Sequence, residues 1–172
     1  MRAALATSDT LSPLFETLRR LLAAKPDRRK AVFTLLDEPE RAAVDASSLV
    51  EGVGEALPKL AEASDLGLVT MQGRKACRAI LRKFGLAKYF SVVITREDSL
   101  ERPAQLRIAI GRLGAGREKV LFIGDRLNDV RSAKEVGVRV ALISDRNEAG
   151  LEPDHRFQSF KELKHLLLDA RR

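Results

Sequence analysis

From residue 47 onward, short apolar runs alternate with segments of helical spacing, and that alternation restricts the fold more than any other feature of the chain. LGLVT (66–70), SVVIT (91–95), VLFIG (120–124) and VRVALIS (138–144) are apolar nearly throughout, as strands buried on both faces of a sheet are. Between them, RKACRAILRKF stops at Gly85, RPAQLRIAIGRL has Pro103 in its first turn and Gly114 past its end, and a helix from about Asn128 to Val136 stops at Gly137. Upstream, SSLVEGVGEALPKLAEA repeats Val50, Val53, Leu57 and Leu60 at helical spacing, with Ser47 or Ser48 as cap and Pro58 inside. KELKHLLLDA (161–170) is expected to form a last amphipathic helix. Strand, helix and strand joined by short links imply right-handed crossovers, so the expected class is α/β, three layers around a mostly parallel sheet.

The first 46 residues differ. MRAALAT is read as one short strand, SPLFETLRRLLAA as a helix with Leu14, Leu18, Leu21 and Leu22 on one side, and AVFTLLDEPERAAV as a second helix containing Pro39. The pair is a small helical insertion at about 12–45, and the core of a single domain is then 1–11 plus 46–172. The apolar side of the first helix is expected either to cover a cleft or to join two copies in a homodimer.

Composition removes several classes. A chain of 172 residues with 45% hydrophobic and 32% charged content suits one globular domain, and no apolar run approaches the roughly 20 residues that span a bilayer. No membrane association and no secretory leader are expected, and the lone Cys77, which has no internal disulfide partner, suits a cytoplasmic location. The net charge of +7 is dispersed among acidic residues, and aromatics are only 5%, which argues against nucleic acid as a partner. His155 and His165 have no repeated ligand spacing, and the chain has neither a Walker loop nor a nucleophile elbow.

Ligands of parallel sheets sit beyond the carboxyl ends of the strands. Those ends carry Thr70, Thr95, Asp125 and Ser144, and GDRLND places Asp129 one turn after Asp125. The pair is open to two readings: a helix start favoured by Asp for hydrogen-bonding reasons, or part of a cation site.

LGLVT, ERP and IGDRLNDVRSAKEVGV, in that order, resemble the haloacid dehalogenase (HAD) superfamily of phosphohydrolases, particularly its phosphoglycolate-phosphatase-like members. The resemblance covers residues 47–168 and implies a HAD-like Rossmannoid core with a reduced helical cap. It implies Mg²⁺-dependent hydrolysis of phosphate monoesters, with Thr70 and Arg102 as the phosphate-binding residues, and Asp125 and Asp129 at the metal, Asp129 as a ligand, through water or as a brace. Arg102 stands where the family has lysine; its charge is kept, but its planar fork differs from a point ammonium. Arg126, beside Asp125, is a further cation that could take the metal's place as an ion pair.

The family's D-x-D motif at the end of the first strand has no full counterpart. One alignment puts Ala6 at the nucleophile, Ser8 at the acid/base position and Asp9 at the glycine; the other puts Thr7 at the nucleophile and Asp9 at the acid/base. Neither supplies an attacking aspartate, and a lost nucleophile costs about a million-fold in kcat in a well-studied protease. The leading expectation is a HAD-like domain with impaired chemistry, binding a small phosphorylated molecule or a protein partner, its hold on Mg²⁺ weakened. The alternatives are an active phosphatase with Asp9 as general base on water, and a receiver-like signalling domain.

Overall fold

The computed structural model describes residues 8–144 and 150–162, with side chains from residue 15 onward. The strand expected at MRAALAT, and the helix expected at KELKHLLLDA beyond residue 162, lie outside the described residues.

The elements follow in the order α1 (Ser8–Ala24), α2 (Arg29–Asp45), α3 (Val53–Ala63), β1 (Gly67–Val69), α4 (Arg74–Lys83), β2 (Val92–Ile94), α5 (Arg102–Leu113), β3 (Leu121–Gly124), α6 (Leu127–Val136), β4 (Arg139–Ile143) and β5 (His155–Phe157). Every strand pair among the described residues is parallel. β1 pairs with β2, with Leu68 opposite Val93, and β3, β4 and β5 form a second ladder in that order.

Side-chain alternation along the strands builds the three expected layers. Leu68 points into a cluster with Val53 and Leu57 of α3 and Cys77 and Leu81 of α4, while its neighbour Val69 packs on the opposite face. That face holds Leu106 and Ile110 of α5, Val130, Ala133 and Val136 of α6, and Val140 and Leu142 of β4. Val69 of β1 and Phe122 of β3 both pack against this cluster, so α5 and α6 bridge the two ladders. Fully burying one such aliphatic side chain contributes about 1.5–3 kcal/mol, so this shared face helps to hold the two ladders together.

Two boundaries differ from the expectation, and one strand is new. α1 begins at Ser8, four residues before the expected helix at Ser12, so Asp9 is in a helical first turn. α3 begins at Val53 because Gly52 adopts a left-handed backbone (φ 83°), which ends any helix running from Ser47. β5 occupies part of EPDHRF, read from sequence as a turn; three residues are too few to display a period of two, and the strand exists through its pairing with Ala141–Ile143.

α2 is pinned to the elements that follow it. At the end of α2, Lys83 of α4 donates to the carbonyls of Val44 (2.9 Å), Asp45 (2.8 Å) and Ser47 (3.0 Å), a cation placed on acceptors at the helix C-terminus. In its middle, Asp37 and Glu40 both bond the guanidinium of Arg96, which follows β2. Among the described residues no helix is long and apolar enough to cross a membrane.

Candidate phosphate site at the strand ends

Thr70 follows β1 and is 2% exposed. Its N–H continues the ladder to the Ile94 carbonyl (2.9 Å), and its Oγ1 accepts the Gln72 N–H (3.1 Å), a local turn bond of the kind threonine favours. The Thr70 hydroxyl proton has no acceptor among the described residues.

Arg102 opens α5, where Pro103 costs no hydrogen bond because first-turn N–H groups have no helical acceptor. Its Nη1 donates to Gln105 Oε1 (3.0 Å), and its Nε lies 3.2 Å from Asp129 Oδ1, an ion pair not aligned as a hydrogen bond. Nη2 has no partner among the described residues.

Asp125 ends β3 and Asp129 sits in the first turn of α6, as the four-residue spacing predicts. Their environments differ sharply. The Asp125 side chain is 48% exposed, with Arg126 Nε 3.9 Å away, whereas Asp129 is buried between Arg102 and the Asp125 N–H, which donates to its Oδ2 at 3.3 Å. Gly124 makes this possible: a Cβ there would stand 2.4 Å from Asp129 Cβ, closer than any real contact.

The structure thus links Thr70 and Asp125, which follow β1 and β3, with Arg102 and Asp129 at the starts of α5 and α6 in one chain of contacts through Gln105. Gln105 Nε2 donates to the Thr70 carbonyl (3.0 Å), its Oε1 accepts from Arg102, Arg102 pairs with Asp129, and Asp129 accepts from Asp125. Thr70, Arg102, Asp125 and Asp129 are brought into a single network, while Asp9 lies in α1 with its side chain outside the described residues. Sequence reasoning missed Gln105. The one available signal was its spacing of three from Arg102, which places both on one helix face.

The donor set can be tested against Mg²⁺. Asp129 is paired with a guanidinium, Asp125 lies 3.9 Å from Arg126 Nε, and no group of three or more His, Cys, Asp or Glu among the described residues is placed to hold a metal. Mg²⁺ takes six oxygens in strict geometry and is commonly held by one or two carboxylates with phosphate and water. The described residues by themselves do not make a resident magnesium site; they fit an anion better.

A two-sided parallel core, a threonine and a cation at neighbouring strand ends, and a G-D-x-x-x-D turn beside them define a phosphohydrolase-type α/β domain. Residues 10–143 match the model of the haloacid dehalogenase-like hydrolases, and the chain belongs to that family. It is 26% identical over 163 residues to the pyrophosphatase PpaX of Bacillus velezensis, covering 90% of this chain and 74% of that one. It is 31% identical over 133 residues to a phosphoglycolate phosphatase of Nitrosococcus oceani, covering 72% of this chain and 59% of that protein. Against the Salmonella typhi phosphoglycolate phosphatase, 37% identical over 106 residues, the chain spans only 42% of the relative's length. Among solved structures, a HAD phosphatase from Thermococcus onnurineus superposes with a TM-score of 0.67 at 28% identity, covering 88% of this chain and 80% of that one. YfnB of Bacillus subtilis, a putative HAD-hydrolase described bound to magnesium and with interdomain movement, superposes at 0.68 with 21% identity, covering 78% of this chain and 62% of that chain, a likeness of fold.

Proposed function

We propose that this chain is a HAD-type phosphate-binding domain whose family reaction, hydrolysis of phosphate monoesters, is strongly impaired. The observation that carries this reading is the Arg102–Asp129 pair: it holds a guanidinium at the strand ends with Nη2 left over for an anion, while the carboxylate that would be a cation ligand is consumed in holding it. The hydroxyl proton of Thr70 is a second donor on the next strand end. Both groups are suited to a tetrahedral dianion, since charge-assisted hydrogen bonds to phosphate are the strong ones.

Attack on phosphorus needs more. A carboxylate approaching a phosphate at 4 Å meets about 4 kcal/mol of repulsion per unit charge pair at an effective dielectric of 20, which a metal or further cations must remove. The residues preceding α1, MRAALAT, carry no carboxylate side chain. The ligand class we propose is a small phosphorylated molecule, in keeping with relatives named for phosphoglycolate and pyrophosphate.

The test is phosphate release from a panel of phosphomonoesters and pyrophosphate, with and without Mg²⁺, for the wild-type chain beside Asp125→Asn and Asp9→Asn. The expected outcome is no turnover above the variants, with binding of inorganic phosphate retained. Magnesium-dependent turnover abolished by both substitutions would sink the impaired reading and establish Asp9 as part of an active mechanism.

A further inference from the structure

Gln105 is fully buried, yet it is a polar side chain with both faces of its amide in use. Nε2 donates to two backbone carbonyls, Thr70 at 3.0 Å and Ser99 at 2.9 Å, and Oε1 accepts from Arg102 Nη1 at 3.0 Å. Two carbonyls on one end and a guanidinium on the other admit one amide orientation, because the flipped amide would set oxygen against oxygen and nitrogen against nitrogen. The three partners belong to three separate pieces of the site: the end of β1, the loop after β2 and the start of α5.

The local geometry explains how one residue reaches all three. Arg102 and Gln105 are three apart in the first turn of α5, so their side chains lie on one face, and the chain bends back at Ser99, whose carbonyl is within reach of the same amide. On the far side of the guanidinium, Asp129 holds Nε. Arg102 therefore has Nη1 hydrogen-bonded and Nε ion-paired by groups from two different helices, while Nη2 has no partner among the described residues and is the nitrogen turned over to a ligand in this reading. An arginine is a flexible side chain; held at both ends, it loses its rotamer entropy on folding and not on binding.

We propose that Gln105 is a positioning residue of the anion site: it fixes the direction in which Arg102 presents Nη2 and sets that direction relative to the Thr70 strand end. This inference rests on the phosphate-binding reading above. A purely structural glutamine, serving only to satisfy the Thr70 and Ser99 carbonyls, would influence stability and leave the affinity of the folded protein unchanged.

The experiment is titration of the full chain with inorganic phosphate followed by ¹H–¹⁵N NMR, which reports folding and binding in the same spectra. The proteins are the wild type, Gln105→Met, Gln105→Glu, Arg102→Met and the Arg102→Met/Gln105→Met double variant. Methionine keeps the volume and removes all three hydrogen bonds; glutamate keeps an acceptor for Arg102 but cannot donate to the two carbonyls. In the wild-type background each Gln105 variant is expected to weaken phosphate binding on the order of tenfold, the scale of one hydrogen bond to a charged group. In the Arg102→Met background, Gln105→Met is expected to add nothing, since it acts through the guanidinium. Equal losses in both backgrounds, or wild-type affinity in the folded single variants, would overturn the positioning role while leaving the phosphate site standing. If Gln105→Met does not fold, Gln105→Glu is compared in the wild-type and Arg102→Met backgrounds; because repulsion by its added charge acts in both, a loss of the same size in the two would overturn the positioning role. Absence of phosphate binding by the wild-type chain would overturn the phosphate-site reading itself, and this inference with it.

Discussion

Arg96 is 0% exposed, and its Nη2 lies 2.7 Å from Asp37 Oδ1, a contact between the loop after β2 and a helix 59 positions earlier in the chain. The same guanidinium bonds Glu40 and the Phe33 carbonyl (3.2 Å) and lies 5.2 Å from the centre of the Phe33 ring. Glu40 in turn accepts the Gly73 N–H at 2.9 Å, so α2 is tied to the loops after both β1 and β2. Burial raises the Glu40 carboxyl above its usual range despite these donors, a sign that the pair stands in a poorly hydrated seam.

Removing that cation should cost more than a surface ion pair. Arg96→Met leaves Asp37 and Glu40, whose side chains are 21% and 20% exposed, facing each other without it. The expected loss is roughly 3 kcal/mol, the lower end for breaking a buried pair because both acids retain some water, which corresponds to about 6–12 °C in Tm for a domain of this size. Gly73→Ala should act at the same place, since its Cβ would stand 2.6 Å from Arg96 Nη2. Thermal unfolding followed by circular dichroism decides; a change below 2 °C in both variants would mean that the Arg96 contacts contribute little to holding α2.

Cys77 should be inert in the native protein. It is 3% exposed within the α3–α4 cluster, and burial pushes its thiol up to about 11, so almost no thiolate exists at pH 8. A chromogenic disulfide reagent at pH 8 is expected to leave the folded chain unlabelled for hours and to modify one thiol at once in denaturant. Rapid native labelling would show that the cluster opens without global unfolding.

Acid should weaken the fold through Asp98. Burial alone would raise its carboxyl, but the Thr95 N–H (3.0 Å), the Thr95 hydroxyl (3.1 Å) and Arg74 (3.2 Å) outweigh that and hold it below the usual carboxylate range. The folded state therefore binds this proton less readily than the unfolded chain, so the stabilisation is present above about pH 4 and is lost as pH falls through the folded value. Urea unfolding between pH 3 and 7 should show a steeper acid decline for the wild type than for Asp98→Asn. Parallel profiles would remove Asp98 from the account.

The order of strands and helices from β1 to β4 and the placement of Thr70 and Asp125 after strands and of Asp129 one turn later were legible in the sequence, because they depend on spacing, and glycine and proline punctuation marks the same boundaries in any context. The family resemblance rests on the same residues. What the spacing does not carry is which polar groups meet across the fold. Gln105 reads as an ordinary helical residue until β1 brings the Thr70 carbonyl to it from 35 positions away, Arg96 as a loop cation until α2 arrives, and β5 as a turn until Ala141–Ile143 pairs with it. Asp129 shows the division most clearly: the sequence places it one turn after Asp125, but only the packing of α5 against α6 sets a guanidinium 3.2 Å away, and a carboxylate's role follows from what charge lies beside it.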